Sequence, residues 1–354
     1  MQKKLQKTLN QLGDDTTPLS FVLLKNLSDL SASELGQFQE AWQHYSGQRR
    51  HELARAMAAI AEDDATQSFT RIFDWLLDDN DPRIRRLAVD GLWEEAGLRH
   101  LPRFMQMLHE DADKDVRAAA AMTLGRLIFM AELDEITGTH TDEMVEALWQ
   151  TFHEEREHVE VRRRALEGLS YSSRPGVKRL IENAVFDESE LMRISALFAM
   201  GQHIDQAWLP YLQKALGEEN PALRMEAARA LGNLEAKSLL DTLISMLDVE
   251  KDSEVRFAIL EALGQIGGDK AKQALQLTLE SDDEAEAEVA EMALEYLYSG
   301  IGNLSGLIHS VLGIEPETEE DEDDLDTTTM WGDFYEDPLN EELRHLLDDE
   351  GYRH

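Results

Sequence analysis

The chain has 354 residues, with 72 Asp and Glu against 34 Lys and Arg, a net charge of −38 and no cysteine. The missing thiols exclude disulfides, thiolate zinc sites, thiol nucleophiles and cysteinyl attachment of a cofactor within the chain. The sign of the charge opposes nucleic acid, whose backbone is bound by basic surfaces that release counterions, and Leu19 to Leu24 is too short for a signal core or a membrane span, so a cytoplasmic protein without membrane contact is expected.

Residues 1–32 read as an N-terminal helical cap segment, and residues 33–300 as a repeat array. Ser33 to Tyr45 with Arg49 to Ala61 makes a first helix pair, and Thr66 to Leu77 opens the next. From there six arginines recur: Arg85, Arg117, Arg162, Arg193, Arg224 and Arg256, at intervals of 32, 45, 31, 31 and 32 residues. Such a period is the signature of stacked supersecondary units. An aliphatic residue or Met precedes each arginine. Ala follows three later in five cases and Ile259 in the sixth; Leu or Met follows seven later, and Gly125, Gly201, Gly232 and Gly264 eight later. Offsets −1, +3 and +7 share one helical face, so each arginine opens an amphipathic helix.

Four residues before each arginine stand Asp81, Asp113, His158, Ser189, Asn220 and Asp252, five of them N-cap residue types. Upstream of each cap lies a second apolar periodic segment, such as Leu101 to Leu108, Val177 to Val185, Leu209 to Leu216, Leu239 to Leu247 and Ala271 to Leu279. Each repeat is therefore two antiparallel helices joined by a short acidic turn. One pair cannot bury its apolar stripe alone, so pairs stack. The expected fold is all-α: an α-solenoid of about eight antiparallel pairs, ending with Lys270 to Leu279 and Glu284 to Tyr298. The 45-residue interval carries about 13 extra residues, read as a loop around Phe129 to Asp142 near Gly138 and Thr139.

A cation in a helix's first turn opposes the macrodipole. Asp79, Asp111, Asp187, Glu218 and Glu250 stand six residues before their arginines, with Arg156 the exception between Glu155 and Glu157. Each arginine is expected to pair with a carboxylate of its own or the adjacent turn, as a brace and not as a ligand contact.

The stretch Asn220-Pro221-Ala222-Leu223-Arg224-Met225-Glu226-Ala227-Ala228-Arg229-Ala230-Leu231-Gly232 resembles the HEAT repeat of the armadillo-type superfamily, and its period near 31 residues is similar to the phycobilisome-lyase HEAT-like subtype. The resemblance spans about residues 33 to 300. It implies a binding scaffold more often than an enzyme. Among HEAT-like enzymes, deoxyhypusine hydroxylase holds two irons through His-Glu pairs on equivalent helices. Arg50-His51-Glu52-Leu53-Ala54 is similar to one such motif, whereas His109-Glu110 and His153-Glu154 end first helices, out of register. His153 and His158 flank a glutamate run but do not share a helical face. A bilin-lyase-like role is implied by the subtype alone. Trp42, Trp75, Trp93, Trp149 and Trp208 fall on apolar faces and read as core, not as a DNA-glycosylase groove. No catalytic, metal or cofactor residues are assigned.

Second helices of such solenoids line the concave side. The positions one and five after each arginine are therefore expected to be exposed partner contacts, unless packing between repeats buries them. They include Arg86, Met122, Arg163, Ile194, Phe198, Met225, Arg229 and Phe257, with Asp90, Glu167 and Glu261.

Residues 301–314 read as a terminal cap and linker, and 315–329 as an acidic disordered linker from its run of like charge. Residues 330–354 carry Trp331, Phe334 and Tyr335 before a short amphipathic helix from Asp337 to Leu347. From Gln273 to Leu343 there are 22 Asp and Glu and no Lys or Arg. The tail is either a recognition motif, docking on a partner or in the chain's own groove, or a solubilising extension. The expected function is a noncatalytic scaffold for a protein or peptide partner; the alternative is an enzyme or enzyme subunit, bilin-lyase-like or deoxyhypusine-hydroxylase-like.

Overall fold

The computed structural model describes residues 2–64, 66–93, 95–133 and 140–299, and among them every regular element is a helix. They fall into two units, divided between Arg174 and Pro175. The first contains α1 (Gln2–Leu12), α2 (Phe21–Leu24), α3 (Ala32–Trp42), α4 (Gly47–Asp63), α5 (Thr70–Leu76), α6 (Pro82–Gly91), α7 (Leu101–Glu110), α8 (Lys114–Glu132), α9 (Thr141–His153) and α10 (Val159–Leu169). The second contains α11 (Val177–Ala184), α12 (Glu190–Gln202), α13 (Leu209–Ala215), α14 (Pro221–Asn233), α15 (Leu240–Leu247), α16 (Ser253–Ile266), α17 (Asp269–Thr278) and α18 (Glu284–Ser299). Pairs α3/α4 through α17/α18 make eight repeats, and the architecture is the all-α solenoid that the period implies.

The helices start where their side chains permit. All six residues at offset −4 accept a backbone N–H of the following turn: Asp81 from Arg83, Asp113 from Asp115 and Val116, Ser189 from Met192, Asn220 from Ala222, and Asp252 from Val255. His158 caps as well, its Nδ1 accepting from Glu160 N at 3.1 Å. Each cap contributes about 1 kcal/mol. Behind them, the −1, +3 and +7 side chains are buried throughout, from Ile84, Ala88 and Leu92 to Val255, Ile259 and Leu263.

The glycines at +8 set how closely successive second helices approach. A Cβ on Gly125 would lie 2.4 Å from Gly168 Cα; on Gly201, 2.9 Å from Ala230 Cα; on Gly232, 2.9 Å from Ala262 Cα. Their partners stand six residues after the next arginine and are themselves Gly or Ala. The pairing of Gly at +8 with a small residue at +6 is the steric rule of the stack, and the periodicity of either position alone does not reveal it.

Eleven residues after Arg193, Arg224 and Arg256 the chain reverses with positive φ, at Ile204 (43°), Glu235 (46°) and Gly267 (68°). Only the last is the residue that this conformation favours.

One expectation changes. Phe129 to Glu132 continue α8 instead of looping, and α9 starts at Thr141, so part of the long interval is helix; Gly138 and Thr139 lie outside the described residues. Ahead of the first pair, Arg49 donates to Asp14 O and Thr17 O, both at 2.6 Å, and Tyr45 Oη donates to Leu9 O at 2.7 Å, so α1 and the loop after it are held to α4 and the α3–α4 turn.

Candidate functional site

Two sets of charged side chains recur on the second helices. The first is the arginine series. Arg85 Nε and Nη2 donate to both carboxylate oxygens of Asp111 at 2.8 and 2.7 Å, while Nη1 donates to Asp79 O at 2.8 Å. Arg117 grips Glu157 at 2.9 and 2.7 Å and Asp111 O at 2.8 Å. Arg224 grips Glu250 at 2.8 and 2.9 Å and Glu218 O at 3.0 Å. Arg256 grips Glu286, with Nη2 to Oε2 at 2.8 Å, and Glu250 O at 3.2 Å.

The rule these four share is a backbone carbonyl six residues back and a carboxylate of the next repeat, in the turn before the cap for Asp111, Glu157 and Glu250 and in the first turn of α18 for Glu286. The guanidinium thereby reaches back to the carbonyl end of the preceding first helix, where a cation is favourable, which offsets its position at the start of its own helix. Arg162 and Arg193 depart from it. Arg162 Nε donates to Phe152 O at 3.0 Å with its guanidinium 5.7 Å from the Phe152 ring centre, and Arg193 turns to Glu190 at 2.9 Å. Glu190 also accepts from the next cap, Asn220, at 2.8 Å, so the two turns are still joined.

These pairs move the carboxyl pKa values. Glu250 is brought down to about 2, chiefly by Arg224 and, against partial burial, by the N–H groups of Asp252 and Lys251. At Asp111 and Glu157, burial pushes up but the Arg85 and Arg117 guanidiniums and backbone donors prevail, leaving both below the usual carboxyl value.

The second set lies at offsets +1, +2 and +5. On α10, Arg163 bonds Glu160 at 2.5 Å and Glu167 at 3.4 Å, while Arg164 bonds the same two at 2.9 and 3.1 Å. All but Glu160 are at most 4 % exposed. Burial pushes Glu160 up, yet Arg164 and Arg163 hold it below its ordinary value. Tyr171, with its ring 5.1 Å from Phe129, is pushed up by burial and by Glu167. In the second unit Arg229 Nε stands 3.7 Å from Glu261 Oε2, and Ser195, Glu226 and Glu261 are buried. Glu254 is raised by burial and by repulsion from Asp252 and Glu261, against the pull of Arg229.

This face corrects the expected exposure. Arg163, Ile194, Phe198, Met225 and Phe257 are buried, as are Glu167 and Glu261. Arg86, Met122, Arg229 and Asp90 are half-buried. Second helices brought together over glycine leave little solvent between side chains one and five residues past the arginine. Trp331, Phe334, Tyr335 and the rest of residues 300–354 lie outside the described residues. The paired ions at +1, +2 and +5 escape a single-sequence reading because each partner looks like ordinary helix-surface charge.

The His-Glu motifs do not converge. His51 is half-buried on α4, its pKa lowered by burial and then by Arg83 and Arg55. His109 and His153 sit exposed at the ends of α7 and α9, and His158 is a cap. Among the described residues no group of three or more His, Asp or Glu is placed to hold a metal ion, so the described residues do not assemble a two-iron centre. Trp42 and Trp208 are buried, and the guanidiniums of Arg126 and Arg174 lie over Trp93 and Trp149 at 5.4 and 4.6 Å. No described helix is long and apolar enough to cross a membrane.

Stacked helix pairs with capped second helices and a repeating arginine define a helical-repeat protein. A family model for HEAT repeats matches residues 69–170, 177–248 and 209–295, and the chain belongs to that family. Relatives within it carry enzyme names. Homo sapiens deoxyhypusine hydroxylase is 29% identical over 138 residues, 37% of this chain and 46% of that protein. The bilin biosynthesis protein PecE of Mastigocladus laminosus is 35% identical over 105 residues, 28% of this chain and 39% of that one. The chain thus spans less than half the length of each. The solved structure of human deoxyhypusine hydroxylase in complex with glycerol is 20% identical, with a TM-score of 0.33 over 84% of this chain and 96% of that one.

Proposed function

We propose that the chain is a subunit of an enzyme system of the HEAT-like class, closer in role to the bilin-biosynthesis relative than to the hydroxylase, and that it works by holding a polypeptide partner on its second helices. The enzyme names of the relatives favour this over a scaffold unconnected with any enzyme. The observation that carries the binding role is the buried Arg163–Arg164–Glu160–Glu167 network, accompanied by Arg229 and Glu261 in the second unit. Burying two ion pairs on one helix costs several kcal/mol of desolvation per ion that an apolar face would avoid, and Glu160, which Arg164 and Arg163 hold below its ordinary value against burial, is of the kind that clusters at functional sites. The hydroxylase-like reading lacks convergent ligands. In the first unit half-buried Arg86 and Met122 are the contact candidates, with Arg163 buried; in the second unit half-buried Arg229 is the candidate, with Ile194, Phe198, Met225 and Phe257 buried. Trp331, Phe334 and Tyr335 supply a second element that competes for this face or reinforces it.

Crosslinking with mass spectrometry in native extract, on full-length protein and on a chain ending at residue 314, tests the reading. Crosslinks from one reproducible partner to α10, α14 or α16 are expected; partner crosslinks confined to the first helices would end it. Metal analysis and a visible spectrum of the purified protein check the enzyme arm: stoichiometric iron would restore the hydroxylase-like alternative.

A further inference from the structure

A different surface of the second unit departs from the repeat pattern. Seven residues before their arginines, the first-unit turns carry Asp78, Glu110 and Glu155, all exposed acids as a soluble turn requires. The same position in three consecutive second-unit repeats is Phe186, Gly217 and Val249. Phe186 is 65 % exposed and Val249 is 74 % exposed. The Phe186 ring packs edge-on against Tyr211 at 6.0 Å, and Lys214 Nζ lies 6.0 Å from the Phe186 ring centre. Between the α13–α14 and α15–α16 turns lies a shallow pocket of about 580 Å³ whose apolar wall is Leu216, Met246 and Val249, with Gly217 at its edge. A Cβ at Gly217 would meet nothing nearer than Lys214 O at 3.5 Å, so packing does not demand the glycine.

We infer that this turn edge is a docking surface for a basic polypeptide segment, one that inserts an apolar side chain over Gly217 and sets Lys or Arg against the rim. The pocket wall carries the carboxylates Glu218, Glu250 and Asp252 against Arg224 and Lys251, and exposed Glu188, Glu219 and Asp248 stand within two residues of Phe186, Gly217 and Val249, so the edge is net negative. Nucleic acid and anionic lipid are repelled, as is the chain's own acidic run from Glu315 to Asp324. Exposed apolar side chains in the two repeats that flank a glycine, rimmed by charge, have the anatomy of a protein interface. The surface is separate from the second-helix face and stands or falls without it.

The test uses the full chain and two fluorescein-labelled peptides of roughly 18 residues, five helical turns: an amphipathic leucine–lysine helix and a lysine–glycine peptide of equal charge. Binding is read by anisotropy at about 0.15 M salt. The original protein should bind the leucine–lysine peptide at least about tenfold more tightly, about 1.4 kcal/mol. The double variant Phe186→Asp with Val249→Asp copies the first-unit pattern. It should lose that preference while binding the lysine–glycine peptide as well as before or better, since it is more acidic. Gly217→Glu, which sets a charged side chain in the pocket, should act in the same direction. Equal or tighter leucine–lysine binding by the variants, or no preference in the original, would overturn the proposal; unchanged circular dichroism certifies the fold.

Discussion

Removing Arg224 strands two kinds of partner at once, the Glu250 carboxylate and the carbonyls of Glu218 and Glu219. Arg224→Ala should therefore cost about 2 to 3 kcal/mol, measured by urea denaturation, because each stranded polar group keeps its desolvation penalty. Arg224→Lys should recover less than half, since an ammonium cannot form the fork that holds carboxylate and carbonyl together. The same pairs fix the acid response. Glu250 at about 2, and the lowered Asp111 and Glu157, bind protons less readily folded than unfolded. Their contribution is complete above the unfolded carboxyl value and is lost as pH falls through the folded one. The melting temperature should accordingly fall from about pH 4.5 towards pH 2, and Glu250→Gln should flatten that slope. Ile204 holds a β-branched side chain at φ 43° while 69 % exposed. Ile204→Gly should raise stability by about 0.5 to 1 kcal/mol, the left-handed penalty of about 1 to 2 less the added unfolded-state entropy of glycine. An unchanged or lower melting temperature would show that Ile204 is held by something besides its own turn.

At the scale of the helix, spacing is decided by what is absent from a side chain. A Cβ on Gly264 would lie 2.9 Å from Ala293 O and 3.0 Å from its Cβ, with backbone that cannot swing aside. Gly264→Ala should cost about 1 to 3 kcal/mol by overpacking, and Gly217→Ala, in open space, close to nothing; equal losses would refute the steric account. The +8 glycines were legible as a pattern because they repeat at a fixed offset. Their purpose was not, because Gly168, Ala230 and Ala262 belong to the next repeat, 29 to 43 residues further on. The caps were legible almost completely, since a cap acts within three residues of itself; His158 was missed because its imidazole takes a place normally held by an oxygen.

For the whole molecule, a charge of −38 must repel itself, and the acidic surplus exceeds what the braces neutralise. Raising salt from about 10 mM to 0.5 M should increase the melting temperature, because screening acts on exposed like charges more than on the partly buried pairs. A fall would mean that attraction within the braces dominates.

The sequence by itself determined the period, the helix pairs, their caps and the family, because each follows from residues within one or two turns of each other and is repeated often enough to separate from chance. It also marked the arginines as braces. Only the tertiary structure decided which carboxylate each arginine grips, that Ile194, Phe198, Met225 and Phe257 are covered, and that Phe186 and Val249 are not. Helical periodicity says which way a side chain points from its own axis. Whether another chain segment stands there is settled by the approach of the next repeat, and that depends on residues the first helix does not contain.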